Sequence, residues 1–281
     1  MTRIVMQKVS VVGLGLMGQA MVRRLLSTGW SVTVWNRSPA AMESLVTEGA
    51  VRATSLAEAF EAGPVLAMLS NDAAVSGVFS ENALATLGGG ASAGLHVNMA
   101  TVSLAAARVL ASRHAAAGVG YVAAPVLGRP PVAQKGTLNI LAAGDPALVA
   151  QLAPVFEVLG EHTWNFGVDP SQANIVKIAM NYALVHAIQA MAESIPMAER
   201  HGIDPQTMVD LMSESFFPGP VYSGYGREIA AAEYKPAMFT TTLGLKDVNL
   251  AAAAADAVGL DLPGIPALRL LFESALKQGY A

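Results

Sequence analysis

Lys177 and Asn181 stand four residues apart in the run NIVKIAMN, which puts both side chains on one face of any helix that carries them. Lys177 is the only cation between Lys135 and Arg200, and its neighbours are apolar. A lysine desolvated in a cleft has its charged form disfavoured, which suits it to pass a proton near neutral pH. Asn181 can donate to the same oxygen without adding charge. The competing reading is a lysine whose stem lies on apolar surface and whose head reaches water. Lys246-Asp247 in TTLGLKDVNLA is a second polar pair in an apolar helix, and its plainer reading is an ordinary surface pair. The five histidines have no metal-ligand spacing, no cysteine is present, and no Ser-His-acid arrangement suggests itself. No metal site and no thiol or serine nucleophile is expected.

A different chemistry opens the chain. Gly13, Gly15 and Gly18 in VVGLGLMGQ have G-x-G-x-x-G spacing between a short β-branched run and an amphipathic one. In a strand-to-helix turn the first glycine permits the bend, the second lets a pyrophosphate reach the backbone, and the third lets helix pack on strand. The free N–H groups and positive helix end would face phosphates. A plain tight turn is the alternative, but a second strand, SVTVWN, follows at the right distance and favours dinucleotide binding. That strand ends in Asn36-Arg37-Ser38, and no carboxylate occurs before Glu43. An NAD site usually places an acid there for the ribose 2′-hydroxyl. An arginine between two small hydrogen-bonding residues suits a 2′-phosphate instead, so NADP(H) is the expected cofactor. An exposed loop arginine is the plainer reading of Arg37.

These residues need elements to hold them. VSVV reads as a buried parallel strand, and QAMVRRLLSTG as a helix stopped by Gly29. AAMESLVTEGA reads as a helix, Pro64–Ser70 as a strand, Gly94–Ala100 as a strand, and TVSLAAARVLASRHAAAG as a helix capped by Thr101 or Ser103. GYVAAPVLG, GTLNILAAG and one helix through DPALVAQLAPVFEVLG complete the half. Alternating strand and helix predicts an N-terminal α/β Rossmann-type doubly wound parallel sheet. From Ser171 onward no strand is legible, and an all-α C-terminal domain is expected, with domains at 1–168 and 169–281. The run SQANIVKIAMNYALVHAIQAMAESI is apolar nearly all round, which calls for burial on more than one side, by the first domain and by a second subunit. Pro196 should kink or end that helix. AAAAADA reads as close helix packing, and Trp30, Trp35 and Trp164 as core or interface.

Composition sets the bounds. With 281 residues, 53% hydrophobic and 14% charged, the chain is long enough for two domains and apolar enough for an extensive interface. A net charge of −4 without long single-sign runs makes nucleic acid or an anionic membrane an unexpected partner. MTRIVMQK lacks a secretory h-region, and the longest uncharged stretch, Asn82–Ala107, is broken by Gly88-Gly89-Gly90, Ser92, Gly94, His96 and Asn98, so it is no membrane helix. A soluble, reducing, cytoplasmic setting is expected.

Taken together, GLGLMG with WNRS, NMATVS, AAPVLGRP, KIAMN and GLKDVNLA resemble, in order, the motifs of the β-hydroxyacid dehydrogenase family, the 3-hydroxyisobutyrate dehydrogenases and glyoxylate/succinic semialdehyde reductases. The resemblance covers nearly the whole chain. It implies that Gly13, Leu14, Gly15, Leu16, Met17, Gly18, Asn36, Arg37, Ser38, Leu69, Ser70, Asn71, Thr101 and Lys246 face the cofactor. It implies Lys177 and Asn181 as catalytic, and Val126, Leu127, Gly128, Arg129, Phe239 and Asp247 near the substrate. Two departures stand out: the substrate-loop serine of the family is Leu127 here, and the glycine two places on is Arg129. The chain also stops at Gly279-Tyr280-Ala281, earlier than the resemblance leads one to expect. Phe216, Phe217, Tyr222 and Phe239 could wall an apolar cleft or pack in a core. Imine reductases share the architecture, the NADPH motif and an intertwined helical homodimer, but carry Asp or Tyr in place of Lys177. Carbonyl reduction is therefore the leading expectation, imine reduction the alternative, and a non-catalytic NADP-binding module a third that Lys177 with Asn181 counts against.

Overall fold

The computed structural model describes residues 7–87, 94–235, 237 and 239–280. Residues 1–6, and with them most of MTRIVMQK, lie outside the described residues, as do Gly88, Gly89, Gly90 and Ser92. The chain forms two compact units, Met1–Lys177 and Ile178–Ala281.

The first unit alternates strand and helix. It runs β1 (Lys8–Val12), α1 (Leu16–Ser27), β2 (Ser31–Trp35), α2 (Glu43–Thr47), β3 (Val51–Arg52) and α3 (Leu56–Ala62). Then come β4 (Val65–Ala67), α4 (Asp72–Val78), α5 (Glu81–Ala85), β5 (Leu95–Asn98), α6 (Leu104–Ala116) and β6 (Gly120–Ala123). It closes with β7 (Val126–Leu127), α7 (Pro130–Lys135), β8 (Leu138–Gly144), α8 (Pro146–Gln151), α9 (Ala153–Leu159) and β9 (Gly160–Asn165). The spatial order is β3-β2-β1-β4-β5-β6-β8-β7, with β9 on β8. The ladders from β3 through β6 are all parallel, as alternating strand and helix requires. The expectation of a wholly parallel sheet is corrected at β8, which runs antiparallel to β6 and β7 while β9 runs parallel to it. β8 follows β7 through residues 128–137 alone, shorter than the dozen or so residues that a parallel crossover takes.

A core covers each face of this sheet. Val9 and Val11 of β1 pack with Met21, Leu25 and Val34 on one side, and Val12 packs with Val65, Ala67, Phe79 and Leu110 on the other. Ser10, on the second face, donates its hydroxyl to the Ala59 carbonyl at 2.6 Å, so even its polar atom is satisfied in the interior. Burial on both faces is why β1 reads as an apolar run and not an alternating one. Gly29, at φ +84, follows the end of α1 as expected.

Several boundaries differ from expectation. Helix α1 begins at Leu16, three residues before the apolar periodicity starts, because Gly15 can serve as its N-cap. The strand expected over Pro64–Ser70 is only Val65–Ala67. The single helix expected over 146–159 is two, since Pro154 cannot bond back to Ala150. β3 and β9 were not legible. Trp164 on β9 is 51% exposed and donates its indole N–H to Asn139 Oδ1 at 2.8 Å, so within the chain it is surface, not core.

Helix α10 (Ser171–Arg200) spans the boundary between the units. Its buried stripe is Ser171, Asn174, Ile178, Asn181 and Val185, at the spacing of three and four that one helix face requires, and continues through half-buried Ile188 to Met191 and Ile195. Of the two expectations for Pro196, a kink or an ending, the ending does not occur: the helix continues to Arg200 at the cost of one backbone hydrogen bond to Ala192. By length and composition alone it would suffice to cross a bilayer. The second unit continues with α11 (Pro205–Glu214), α12 (Pro220–Ala230), α13 (Thr241–Asp256) and α14 (Ile265–Lys277), with no strand among its described residues. Met191, Ile195 and Val209 form a core with Tyr222, Tyr225 and Ile229. The alanine run of α13 is buried at Ala251, Ala252, Ala254 and Ala255, and Gly244 lies against the Phe272 ring, where a Cβ would come within 2.5 Å. Small residues thus let α13 and α14 approach closely.

Candidate active site

The three glycines of the first turn answer different steric demands. A Cβ on Gly13, which sits at φ +90, would lie 2.4 Å from the Met68 carbonyl oxygen. One on Gly18 would lie 2.0 Å from the Gly13 carbonyl oxygen. Those two glycines are fixed by protein packing. A Cβ on Gly15 would meet nothing within 4 Å. Gly15 caps α1 without a side-chain acceptor, and the first turn of this twelve-residue helix carries no acid. The result is an open cradle of backbone donors at a positive helix end, the donor set that fits a pyrophosphate.

The cradle lies where the sheet changes direction. β1 has β2 on one side and β4 on the other, the switch point at which open α/β sheets bind ligands. Asn36, beyond β2, accepts from the Leu14 N–H at 3.1 Å and donates to the Ser38 carbonyl at 3.1 Å. It therefore braces the turn, as does the Gly13 N–H bond to the Trp35 carbonyl at 3.2 Å. Arg37 and Ser38 are exposed beside it. The nearest acid in sequence, Glu43, is paired with Arg52 at 2.7 Å. Leu14 belongs to the core, Met17 packs against it, and Leu16 is exposed.

The neighbouring strand ends form a hydrogen-bonded rim. Leu69 is half-buried, Ser70 is exposed, and Asn71 caps α4 by accepting from the Ala74 N–H at 2.9 Å. Asp72 accepts from both the backbone N–H and the hydroxyl of Ser103, at 2.9 and 2.6 Å, and ties the start of α4 to that of α6. Ser103, not Thr101, caps α6. Thr101 is half-buried between Asn98 and this link. Asn98 accepts from the Ala100 N–H and donates to the Tyr121 hydroxyl, both at 3.2 Å. Asp72 and Asn98 were not singled out in the sequence. An amide in the apolar run LHVNMA was the signal for the second.

Beneath this rim lies a buried pair, His96 of β5 and His114 of α6, with Nδ1 and Nε2 at 2.8 Å. Phe79 stacks on His96 at 3.7 Å. Burial pushes the His114 imidazole down to about 4 and, with the His114 charge as a lesser cause, holds His96 well below the usual histidine range.

Val126 is buried, and Leu127 packs with Ala123, Leu141, Ala143 and Ala173, so the apolar residue in the loop is partly core. Gly128 sits at φ +140, where a Cβ would come within 2.6 Å of the Leu138 side chain. Arg129 is half-buried at the N-cap of α7.

On α10, Lys177 is half-buried and Asn181 buried one turn later. Asn181 donates its amide to Asp247 Oδ2 at 2.7 Å across 66 residues of sequence. A carboxylate only accepts, so this bond fixes which way the amide points and leaves Asn181 Oδ1 and one N–H for another partner. Lys246 Nζ is 3.8 Å from Asp247 Oδ1, so the buried carboxylate has a cation beside it. Asn181, expected to be catalytic, Lys246, expected to face the cofactor, and Asp247, expected near the substrate, thus form one cluster. Asn174, one turn before Lys177, was not singled out. It is 1% exposed, and neither its Nδ2 nor its Oδ1 has a hydrogen-bond partner among the described residues. Phe217 stacks on Tyr222 at 4.6 Å with Phe216 beside it, 88% exposed. Phe239 is half-buried on the approach to α13.

The chain matches known families over nearly its whole length. A model described as the NAD binding domain of 6-phosphogluconate dehydrogenase matches residues 8–168, and one described as NAD-binding of NADP-dependent 3-hydroxyisobutyrate dehydrogenase matches 171–281. The chain is 41% identical over 276 residues to the uncharacterized oxidoreductase YfjR of Bacillus subtilis, covering 97% of this chain and 95% of that one. It is 32% identical over 277 residues to glyoxylate/succinic semialdehyde reductase 1 of Arabidopsis thaliana, covering 97% and 93%. Among solved structures, 3-hydroxyisobutyrate dehydrogenase (ygbJ) from Salmonella typhimurium superposes with a TM-score of 0.85 at 26% identity, covering 97% of this chain and 95% of that one. A glycine cradle at the switch point of the sheet, a helix α10 carrying the lysine-asparagine face, and matches over 8–168 and 171–281 make the chain a member of the β-hydroxyacid dehydrogenase family, an NAD(P)-dependent oxidoreductase.

Proposed function

We propose that the protein reduces a small aldehyde or keto acid with NADPH, and catalyses the reverse oxidation when substrate levels favour it. The observation that carries this reading is the α10 face on which half-buried Lys177 stands one turn from an Asn181 held in orientation by buried Asp247. The bound nicotinamide would supply or accept the hydride at the carbonyl carbon. Lys177 would give its proton to the carbonyl oxygen as the C=O becomes C–OH, and take it back in the oxidation. Asn181 would orient that oxygen. The Gly13–Gly18 cradle would hold the pyrophosphate, and Arg37 with Ser38 would take the 2′-phosphate. Gly128 and its neighbours would offer backbone N–H groups to the far end of the substrate. The relatives' names point to acids and aldehydes of a few carbons, and that class is the one proposed here.

The test is a panel of aldehydes, keto acids and cyclic imines assayed with NADPH and NADH, for the wild type and Arg37→Ala. The expected result is turnover of aldehydes or keto acids with NADPH, and a Michaelis constant for NADPH that rises in Arg37→Ala while that for NADH barely moves. Turnover of imines alone would replace the carbonyl reading by imine reduction. Equal shifts for both nucleotides would remove Arg37 from the 2′-phosphate site.

The exposed apolar side chains of α10, Ile175, Met180 and Met197, are read as an interface with a second copy of the chain, not as a bilayer span. A cytoplasmic homodimer is the proposed form. Sedimentation should give twice 29.0 kDa at micromolar concentration, and a monomer would refute it.

A further inference from the structure

The buried stripe of α10 is apolar at Ile178, Val185, Met191 and Ile195 and interrupted by two asparagines, Asn174 and Asn181, seven residues apart. Seven residues are almost two turns, so the two amides lie nearly in line along the helix with Lys177 between them. Asn181 bonds Asp247 through its amide N–H. Asn174 has no such bond: both ends of its amide are buried and have no partner among the described residues. A buried amide without a partner destabilises the folded chain, and an apolar residue of the same shape would do better. Such a group persists where something other than the fold uses it.

Resting on the carbonyl-reduction reading, we propose that Asn174 is a specificity residue that recognises a hydroxyl on the substrate, on a carbon next to the reacting carbonyl or one further. Three features select this ligand. Residues three apart on a helix have Cβ atoms about 5–6 Å apart, so the heads of Asn174 and Lys177 can converge on two oxygens of one small molecule. The amide presents one donor side and one acceptor side. A hydroxyl matches both, since it accepts from Nδ2 and donates to Oδ1. A carboxylate offers acceptors only and would set its charge against Oδ1. Asn174 itself is uncharged, so it discriminates by hydrogen bonding and leaves any anionic end of the substrate to other groups. A site built to bond a hydroxyl rejects the analogue that lacks it more strongly than an apolar pocket rejects an added methyl.

Glycolaldehyde and propanal test this, because they differ by a hydroxyl in place of a methyl at equal heavy-atom count. The enzyme is assayed with NADPH on both, as wild type and as Asn174→Leu, which keeps the volume and removes the amide. The ratio of kcat/KM for glycolaldehyde to that for propanal should fall about tenfold or more in Asn174→Leu, with propanal within about threefold of wild type and NADPH affinity unchanged. Asn174→Ala, which adds no bulk, should lower the ratio in the same direction. An unchanged ratio, or equal losses on both aldehydes, overturns the proposal. Melting of the nucleotide-free full chain gives a readout independent of turnover. Asn174→Leu should melt no lower than wild type, since it removes an unpaired polar group. A fall of more than about 4 °C would show that the amide is engaged within the protein, and overturns the proposal as well. If the wild type reduces neither aldehyde, the wider panel of aldehydes, keto acids and imines decides whether carbonyl reduction itself fails, while the melting comparison still decides whether the Asn174 amide serves the fold.

Discussion

Replacing Lys177 by Met keeps the apolar stem on α10 and removes only the ammonium, so it separates proton transfer from packing. Turnover on the best carbonyl substrate should fall by about 10²–10⁴-fold, the usual range for a lost general acid or base, with NADPH affinity nearly unchanged. Asn181→Ala should cost less, because the proton remains and only its target is less well oriented. Wild-type turnover in Lys177→Met would refute the assignment. The site at this scale was partly legible. Lys177 and Asn181 are a local pattern, four apart in one helix, and any helix shows them together. The bond from Asn181 to Asp247 was not, because it joins residues 66 positions apart that only tertiary packing can bring within 2.7 Å. Asn174 escaped for another reason: in sequence an asparagine on an apolar helix looks like any other, and its lack of a partner exists only in three dimensions.

The first turn separates binding from folding at the scale of the element. Gly15 sits at φ −69 with open space before it, so Gly15→Ala meets neither strain nor clash in the free protein. Its melting temperature should stay within about 2 °C of wild type, while the methyl intrudes on the cradle and the Michaelis constant for NADPH rises. Gly18→Ala is the contrast, since its Cβ would press on the Gly13 carbonyl and α1 would have to move off β1. That variant should lose several degrees of melting temperature before any ligand is added. Equal melting losses in both variants would mean that Gly15 is structural too. β1, α1 and β2 were legible because each carries its own period and punctuation. The reversal of β8 was not, since a buried apolar strand has the same composition whichever way it runs. β9 is exposed at every position but its first, which removes the alternation that marks a strand. Pro196 does not end α10 for a physical reason: a proline late in a long, well-packed helix costs one hydrogen bond, and the Met191–Ile195–Val209 core holds the helix on through it.

For the molecule as a whole, the buried His96–His114 pair ties stability to pH. The folded imidazoles stay neutral below the ordinary histidine range, with His114 near 4, whereas in the unfolded chain both titrate near 6.5. Between those values the unfolded chain binds protons that the native chain does not, so stability is full above about pH 6.5 and declines as pH falls toward 4. Melting temperature followed from pH 7.5 to 4.5 should be level in the upper part and drop in the lower. A level profile throughout would mean that the pair takes up protons without unfolding. The three tryptophans make the same molecule optically readable. Trp35 ends β2, its carbonyl bonded to the Gly13 N–H and its neighbours Asn36 and Arg37 at the cofactor turn, while Trp164 stands exposed on β9. Indole emission overlaps the absorption of reduced nicotinamide, so light taken up by Trp35 has an acceptor whenever a reduced nicotinamide dinucleotide occupies the cradle. Trp164 stands open to quenchers dissolved in the solvent as well. Energy transfer then reports occupancy of the cradle, and solute quenching reports exposure of the sheet edge, without any added dye.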